Sequence, residues 1–213
     1  MPVPQSGRPS AGTKPAVHST RRRMRAEDRY AQLLRVAIQV AADKGLDRLV
    51  HADVAASAGV STPTVFQYFS DREVLLTSVI GEVDRFYRDM ARRCHQPGKP
   101  PVERIHDHFA SFSDSLDSDR DYAVVWLDWS THFRNEYGLW DAFVQFQEYV
   151  ISKVQESVRD GQQAGTISMR TSAADTARLI TVASYGVTQL KFMNRGRAIM
   201  DRFAEQMLSL TLA

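Results

Sequence analysis

Apolar residues recur at helical spacing along most of the chain. Between about Glu27 and Lys44 they fall at Tyr30, Leu33, Leu34, Ala37, Ile38 and Ala41, one face of a period near 3.6 residues. Glu27 and Asp28 favour the start of this helix and Gly45 its end. A short helix is expected over about 51–57, a tight turn at Gly59, and a second short helix over about 62–69. Val54, Ala58, Val60, Val65 and Phe69 supply a small core between them. Pro63 fits because it lies in the first helical turn, where its missing N–H would be unpaired anyway.

Ser70 followed by Glu73 reads as a capping box opening a helix over about 71–94. Pro97-Gly98-Lys99-Pro100-Pro101 is a break. Helices are expected over about 102–117 and 120–133. A long one over about 136–163 has Leu139, Phe143, Phe146, Val150, Val154 and Val158 on one side, closed by Gly161 and Gly165. Ser172 with Asp175 can cap a helix over about 173–193. A last helix over about 197–211 carries Ile199, Phe203, Met207 and Leu210. No repeat and no strand pattern is visible, so the expected fold class is all-α.

Composition changes this picture little. Of 213 residues, 43% are hydrophobic and 24% charged, ordinary for a globular protein. No apolar run reaches the roughly 18 residues of a membrane span. The N-terminus has no charged start followed by an apolar stretch, so no secretion signal is expected. The lone Cys94 cannot form an intramolecular disulfide and reads as an inert helix residue. A reducing, cytoplasmic setting is the expectation.

Charge placement says more than the net value of +2. Residues 1–25 hold Arg8, Lys14, Arg21, Arg22, Arg23 and Arg25 and no acid. They are also rich in Pro, Gly, Ser and Thr, which predicts disorder over about the first twenty. A basic arm on a mildly acidic body suits a polyanion; a solubilising tail is the alternative reading.

Reading DNA in the major groove needs a helix whose first turns expose side chains to base edges, braced by a second helix across the backbone. The stretch from His51 to Phe69 has that layout: small residues between the helices, with polar and aromatic residues from Thr62 to Tyr68 on the other side. Asp53-Val54-Ala55, Ala58-Gly59-Val60-Ser61, Thr64-Val65-Phe66, Tyr68-Phe69 and Arg72-Glu73 then Leu75 resemble, almost without a gap, the signature of the TetR family. The resemblance covers about Tyr30 to Leu76. A narrower one is to the LuxR/HapR branch, the quorum-sensing regulators of vibrios. It rests on His51-Ala52-Asp53, Val65-Phe66-Gln67-Tyr68-Phe69 and Val125-Trp126-Leu127-Asp128-Trp129-Ser130. Gln67 stands where that branch has Asn, and the C-terminal third is similar only loosely.

The TetR resemblance implies a disordered basic arm over 1–24, a three-helix DNA-binding domain over 25–72 and a larger ligand-binding and dimerisation domain over 73–213. It implies a homodimer on a pseudo-palindromic operator, more a repressor than an activator, without catalysis, cofactor or metal. By matching position, Thr62, Thr64 and Gln67 are candidates for base-edge or phosphate contact, with Ser61 and Pro63 beside them. Gln can pair adenine with two hydrogen bonds. Phe66 is placed against a thymine methyl or sugar, or partly in the core. Tyr68 and Arg72 suit phosphates. Val50 stands where most members have a Ser or Thr cap, and Ala52 where many have Arg. Arg21, Arg22, Arg23 and Arg25 are expected to compensate in an adjacent minor groove.

Residues 86–146 concentrate aromatics: Phe86, Tyr87, Phe109, Phe112, Trp126, Trp129, Phe133, Trp140, Phe143 and Phe146. They read either as ordinary core or, by the resemblance, as the lining of an effector pocket. Trp126 and Trp129, three apart on one helix, are the first choice for lining, with Phe109 and Phe112 opposite. Phe86, Phe133, Trp140 and Phe143 are further candidates. The scarcity of charged residues among them argues for an apolar or amphipathic ligand. Ala183, Val187, Leu190, Phe203 and Met207 are the expected dimer interface, or else complete the monomer core.

Two rivals belong to other classes. His106-Asp107-His108 could serve a metal or a general base, but residues two apart on a helix point apart, and a solvated polar face is the plainer reading. A protein-binding adaptor lacking DNA contact is the other, opposed by the intact motif and the basic arm.

Overall fold

A computed structural model describes residues 25–132 and 137–192, the side chains of His132 and Val187 excepted. Among them the chain forms α1 (Ala26–Lys44), α2 (His51–Ala58), α3 (Thr62–Phe66), α4 (Arg72–Cys94), α5 (Pro101–Ser118), α6 (Arg120–His132), α7 (Leu139–Gln163) and α8 (Ala173–Phe192). A single 3₁₀ turn, Leu46–Arg48, follows α1. No strand occurs among the described residues, and the fold is all-α. The arm over 1–24 and the helix expected over 197–211 lie outside them, as do Arg21, Arg22, Arg23, Phe133, Phe203 and Met207.

Local chemistry explains most boundaries. Gly45, at φ 95°, stops α1. Asp175 N–H donates to Ser172 Oγ at 3.1 Å, and that hydroxyl donates to Asp175 Oδ2 at 2.7 Å, opening α8 as a mutual cap. The cap of α4 sits one residue later than expected. Asp71, not Ser70, accepts from Val74 N–H at 2.8 Å, while Ser70 Oγ donates to Asp71 Oδ2 at 2.9 Å. A carboxylate is the stronger acceptor at a helix N-terminus, and these bonds hold its pKa below the usual range.

The long helix starts later, at Leu139, because Tyr137 and Gly138 take positive φ of 50° and 66°. Gly161 does not close it. It is buried within α7, where a Cβ would lie 2.5 Å from Ile167 Cδ1, and Gly165 at φ 70° makes the turn.

One buried cluster runs from Leu33 in α1 through Val65, Phe69, Leu76, Tyr87 and Trp126 to Val150 in α7. The core is continuous across residues 72 and 73. Fully burying each large side chain contributes about 1.5–3 kcal/mol. A second cluster of Ile105, Phe109, Val154, Val158, Ile167, Ala177 and Ile180 joins α5, α7 and α8. The break at 97–101 is pinned by Arg104, whose buried guanidinium donates to the Pro97 and Lys99 carbonyls and to Asp160 Oδ2.

Candidate functional site

The turn between α2 and α3 is built from backbone. Gly59 is left-handed at φ 64°, Val60 N–H donates to Ala55 O at 3.0 Å, and Gly59 N–H to Ala56 O at 3.3 Å. This is a Schellman ending, which requires the residue that pays least for positive φ. The chain leaves it extended at Ser61 and turns into α3, with Pro63 in the first turn. Helix-type bonding persists beyond Phe66: Gln67 N–H donates to Pro63 O, and Phe69 N–H to Val65 O at 2.9 Å.

This short helix is fixed by its apolar side. Val65 and Phe69 are fully buried. Ser61, Pro63, Phe66 and Gln67 are exposed, and Thr62, Thr64 and Tyr68 are half-buried. Ser61 Oγ and Thr64 Oγ1 share a hydrogen bond of 2.8 Å. Phe66 is 46% exposed and stacks on the His51 ring, with centroids 4.0 Å apart and planes within 6°. His51 Nε2 donates to the Phe69 carbonyl at 2.8 Å. His51 therefore holds the C-terminal end of α3 and the turn that follows it. The sequence reading used it only as part of a resemblance and gave it no role.

Arg72 is half-buried, and its Nη2 donates to Asp47 O at 2.8 Å, tying the start of α4 to the 3₁₀ turn. Leu46 N–H in the same turn donates to Asp128 Oδ2 of α6 at 2.7 Å. Arg25, preceding α1, is exposed.

A cavity of about 30 Å³ lies among α4, α5, α6, α7 and α8, lined in part by Tyr87, His108, Phe112, Trp126, Gln147 and Tyr185. That is room for a water molecule or two. Of the expected lining residues, Phe112 and Trp126 face it. Trp129 does not: it is fully buried and its Nε1 donates to Leu139 O at 2.8 Å, which makes it a strut between α6 and α7. Residues three apart stand only about 60° apart around a helix, so the tie to Leu139, not helical spacing, sets Trp129 outside the cavity lining. Phe109 belongs to the second core cluster. Phe143 meets Trp129 edge to face and stacks on Trp140. Phe86 lines an open cleft of about 390 Å³ between α1 and the α5–α6 junction.

His106 and His108 part company as the helical period requires: His106 is exposed but His108 is buried, so the stretch is not one solvated face. His95 Nδ1 lies 2.8 Å from Ser157 Oγ and His95 Nε2 lies 3.1 Å from His108 Nδ1. Burial holds both imidazoles neutral, lowering His95 to about 3 and His108 to about 4. No cluster of three metal-ligating side chains occurs among the described residues, and none of their helices is long and apolar enough to cross a membrane. On α8, Ala183 is half-buried, while Leu179, Val182 and Leu190 are 59%, 66% and 38% exposed.

Residues 33–79 match the N-terminal domain described as bacterial regulatory proteins, tetR family. The chain is 33% identical over 116 residues to the HTH-type transcriptional regulator LuxR of Vibrio harveyi, a match covering 54% of this chain and 56% of that protein. The chain thus spans little more than half the length of the curated relative it matches. Among solved structures, a transcriptional regulator from Saccharomonospora viridis in complex with choline superposes with a TM-score of 0.77 at 16% identity, over 88% of this chain and 99% of that one. The regulator FadR of Bacillus subtilis, in complex with stearoyl-CoA, gives 0.67 at 20% identity, over 84% and 98%. These two similarities establish the shared fold.

Proposed function

We propose that this chain, whose residues 33–79 match the N-terminal domain of the tetR family, is a TetR-type homodimeric transcriptional regulator, chiefly a repressor, of a pseudo-palindromic operator. The supporting observation is the two-sidedness of α3: Val65 and Phe69 are fully buried while Phe66 and Gln67 face outward. A surface so held offers Gln67 and Thr64 to base edges and Thr62, Ser61 and Tyr68 to phosphates. Arg21, Arg22, Arg23 and Arg25 follow the adjacent minor groove. Two such helices related by a two-fold axis fit half-sites roughly 34–36 Å apart. The exposed apolar side chains of α8 suit a dimer contact.

A small effector is the natural regulator. The helices around the cavity, α4 and α6, both anchor on the turn that supports α2, through Arg72 to Asp47 and Asp128 to Leu46. A ligand that widened the space beside Trp126 would move one anchor relative to the other. It changes operator affinity only to the extent that it binds one arrangement better.

A gel-shift titration of genomic fragments across salt tests the reading. Specific fragments are retarded, and affinity falls steeply with salt as phosphate contacts release counterions. Retention of no fragment at low salt rejects it in favour of an adaptor.

A further inference from the structure

We propose that the cavity beside Trp126 takes a ligand whose apolar body carries one uncharged hydrogen-bond acceptor, such as a ketone, ester or amide carbonyl, received by Trp126 and Gln147. This rests on the effector reading above and specifies its chemistry.

Among the described residues, three buried side-chain polar atoms lack a hydrogen-bond partner: Tyr87 Oη, Trp126 Nε1 and Gln147 Nε2. All three belong to residues lining this one cavity, and they come from three helices, α4, α6 and α7. Native proteins leave few such groups unpaired, because each forfeits its bond to water without replacement. Trp126 is only 3% exposed, and an indole N–H can donate but never accept. The Gln147 amide nitrogen is likewise a donor. Tyr87 Oη has the Ser115 hydroxyl nearby, whose oxygen can still accept although its proton goes to the Phe112 carbonyl at 2.7 Å, so the unmet donors are the Trp126 and Gln147 N–H groups.

No acceptor of the wall reaches them. The Thr181 and Ser184 hydroxyls donate to the Ala177 and Ile180 carbonyls of their own helix, and their oxygens, though still able to accept, lie out of hydrogen-bond range of the two N–H groups. His108 is neutral and its Nδ1 is engaged by His95. No Lys, Arg, Asp or Glu lines the cavity. A carboxylate would be buried there without a cation, which is costly. A quaternary ammonium would find aromatic faces, but it offers no acceptor to the two unpartnered N–H groups. An uncharged acceptor fits both the donors and the apolar walls. The volume of about 30 Å³ is smaller than such a ligand, so entry must separate the helices around it.

The test uses the full chain, with indole ¹⁵N–¹H resonances as readout. Three probes of one ring size are added, cyclohexanone, methylcyclohexane and cyclohexanecarboxylate, with acyclic choline as the cation. The Trp126 indole signal should move downfield with cyclohexanone, which should bind about tenfold tighter than the other three. Gln147→Leu, which keeps the shape, should cut that preference severalfold while leaving methylcyclohexane binding unchanged. Equal binding of ketone and hydrocarbon overturns the proposal. So does preference for choline or the carboxylate, a preference untouched by Gln147→Leu, or a Trp126 signal that no probe moves, which would mark a cavity built for water. A parallel gel shift separates the readings: intact operator binding with no probe response overturns this inference alone.

Discussion

The Leu46 amide and the Asp128 carboxylate, 82 positions apart, meet at 2.7 Å and join the turn beneath α2 to α6. Leu46 is fully buried, so its N–H has no ready substitute partner. Asp128→Ala should destabilise the fold by about 1–3 kcal/mol, whereas Asp128→Asn, which keeps an acceptor oxygen, should cost less. Urea unfolding of both variants checks this, and equal losses would contradict it. If Asp128 also transmits the effector signal, Asp128→Ala should bind operator but respond weakly to any ligand that relieves it.

Two glycines separate strain from packing. A Cβ at Gly59 meets nothing within 4 Å, but its φ is +64°. Gly59→Ala should therefore cost roughly 1–2 kcal/mol, from backbone conformation alone. Gly161 has ordinary helical backbone, yet a Cβ would press Ile167 Cδ1 at 2.5 Å. Gly161→Ala should cost about 1–3 kcal/mol by overpacking, and less when it is introduced into an Ile167→Ala background. No such rescue by the Ile167 change is expected for Gly59→Ala. Thermal melts of the single and double variants distinguish the two causes.

The buried imidazole pair imposes a pH dependence of definite sign. His95 and His108 stay neutral in the folded chain down to about 3 and 4, whereas both take up a proton near 6.5 when unfolded. Below about 6.5 the unfolded state binds more protons, so stability falls with pH. The loss continues until the folded pKa values are reached. Tm should be flat above pH 7 and decline from pH 6.5 to 5, before most carboxylates titrate. A His95→Gln, His108→Gln double variant should flatten that decline; an unchanged slope would assign it elsewhere.

How much of this was legible in the sequence follows from what periodicity can carry. α1 to α3 and α8 begin and end within a few residues of expectation, because Gly45, Gly59 and Ser172 act through their immediate neighbours. The α4 cap was displaced by one residue, since Ser70 and Asp71 are both competent caps and only geometry chooses. Spacing could say that His106 and His108 diverge. It could not say which is buried, because that depends on His95 and Ser157, 13 and 49 residues away from His108. Trp126 and Trp129 illustrate the same limit. Both are buried, but only the position of Leu139 makes one a strut and leaves the other without an acceptor. The role of His51 under Phe66 was readable in principle, as a ring one helical element away from an exposed aromatic.

The account depends most on α3 meeting base edges, and the affinity ratio between operator and random duplex measures that contact directly. It should be determined across salt for the parent chain, Gln67→Ala and Arg22→Ala, the last in the arm outside the described residues. Gln67→Ala should shrink the ratio by an amount worth about 1–3 kcal/mol. Arg22→Ala should weaken both duplexes alike and reduce the salt slope by about one. A ratio unmoved by Gln67→Ala, or identical behaviour of the two variants, would contradict the assignment of α3 as the reading helix.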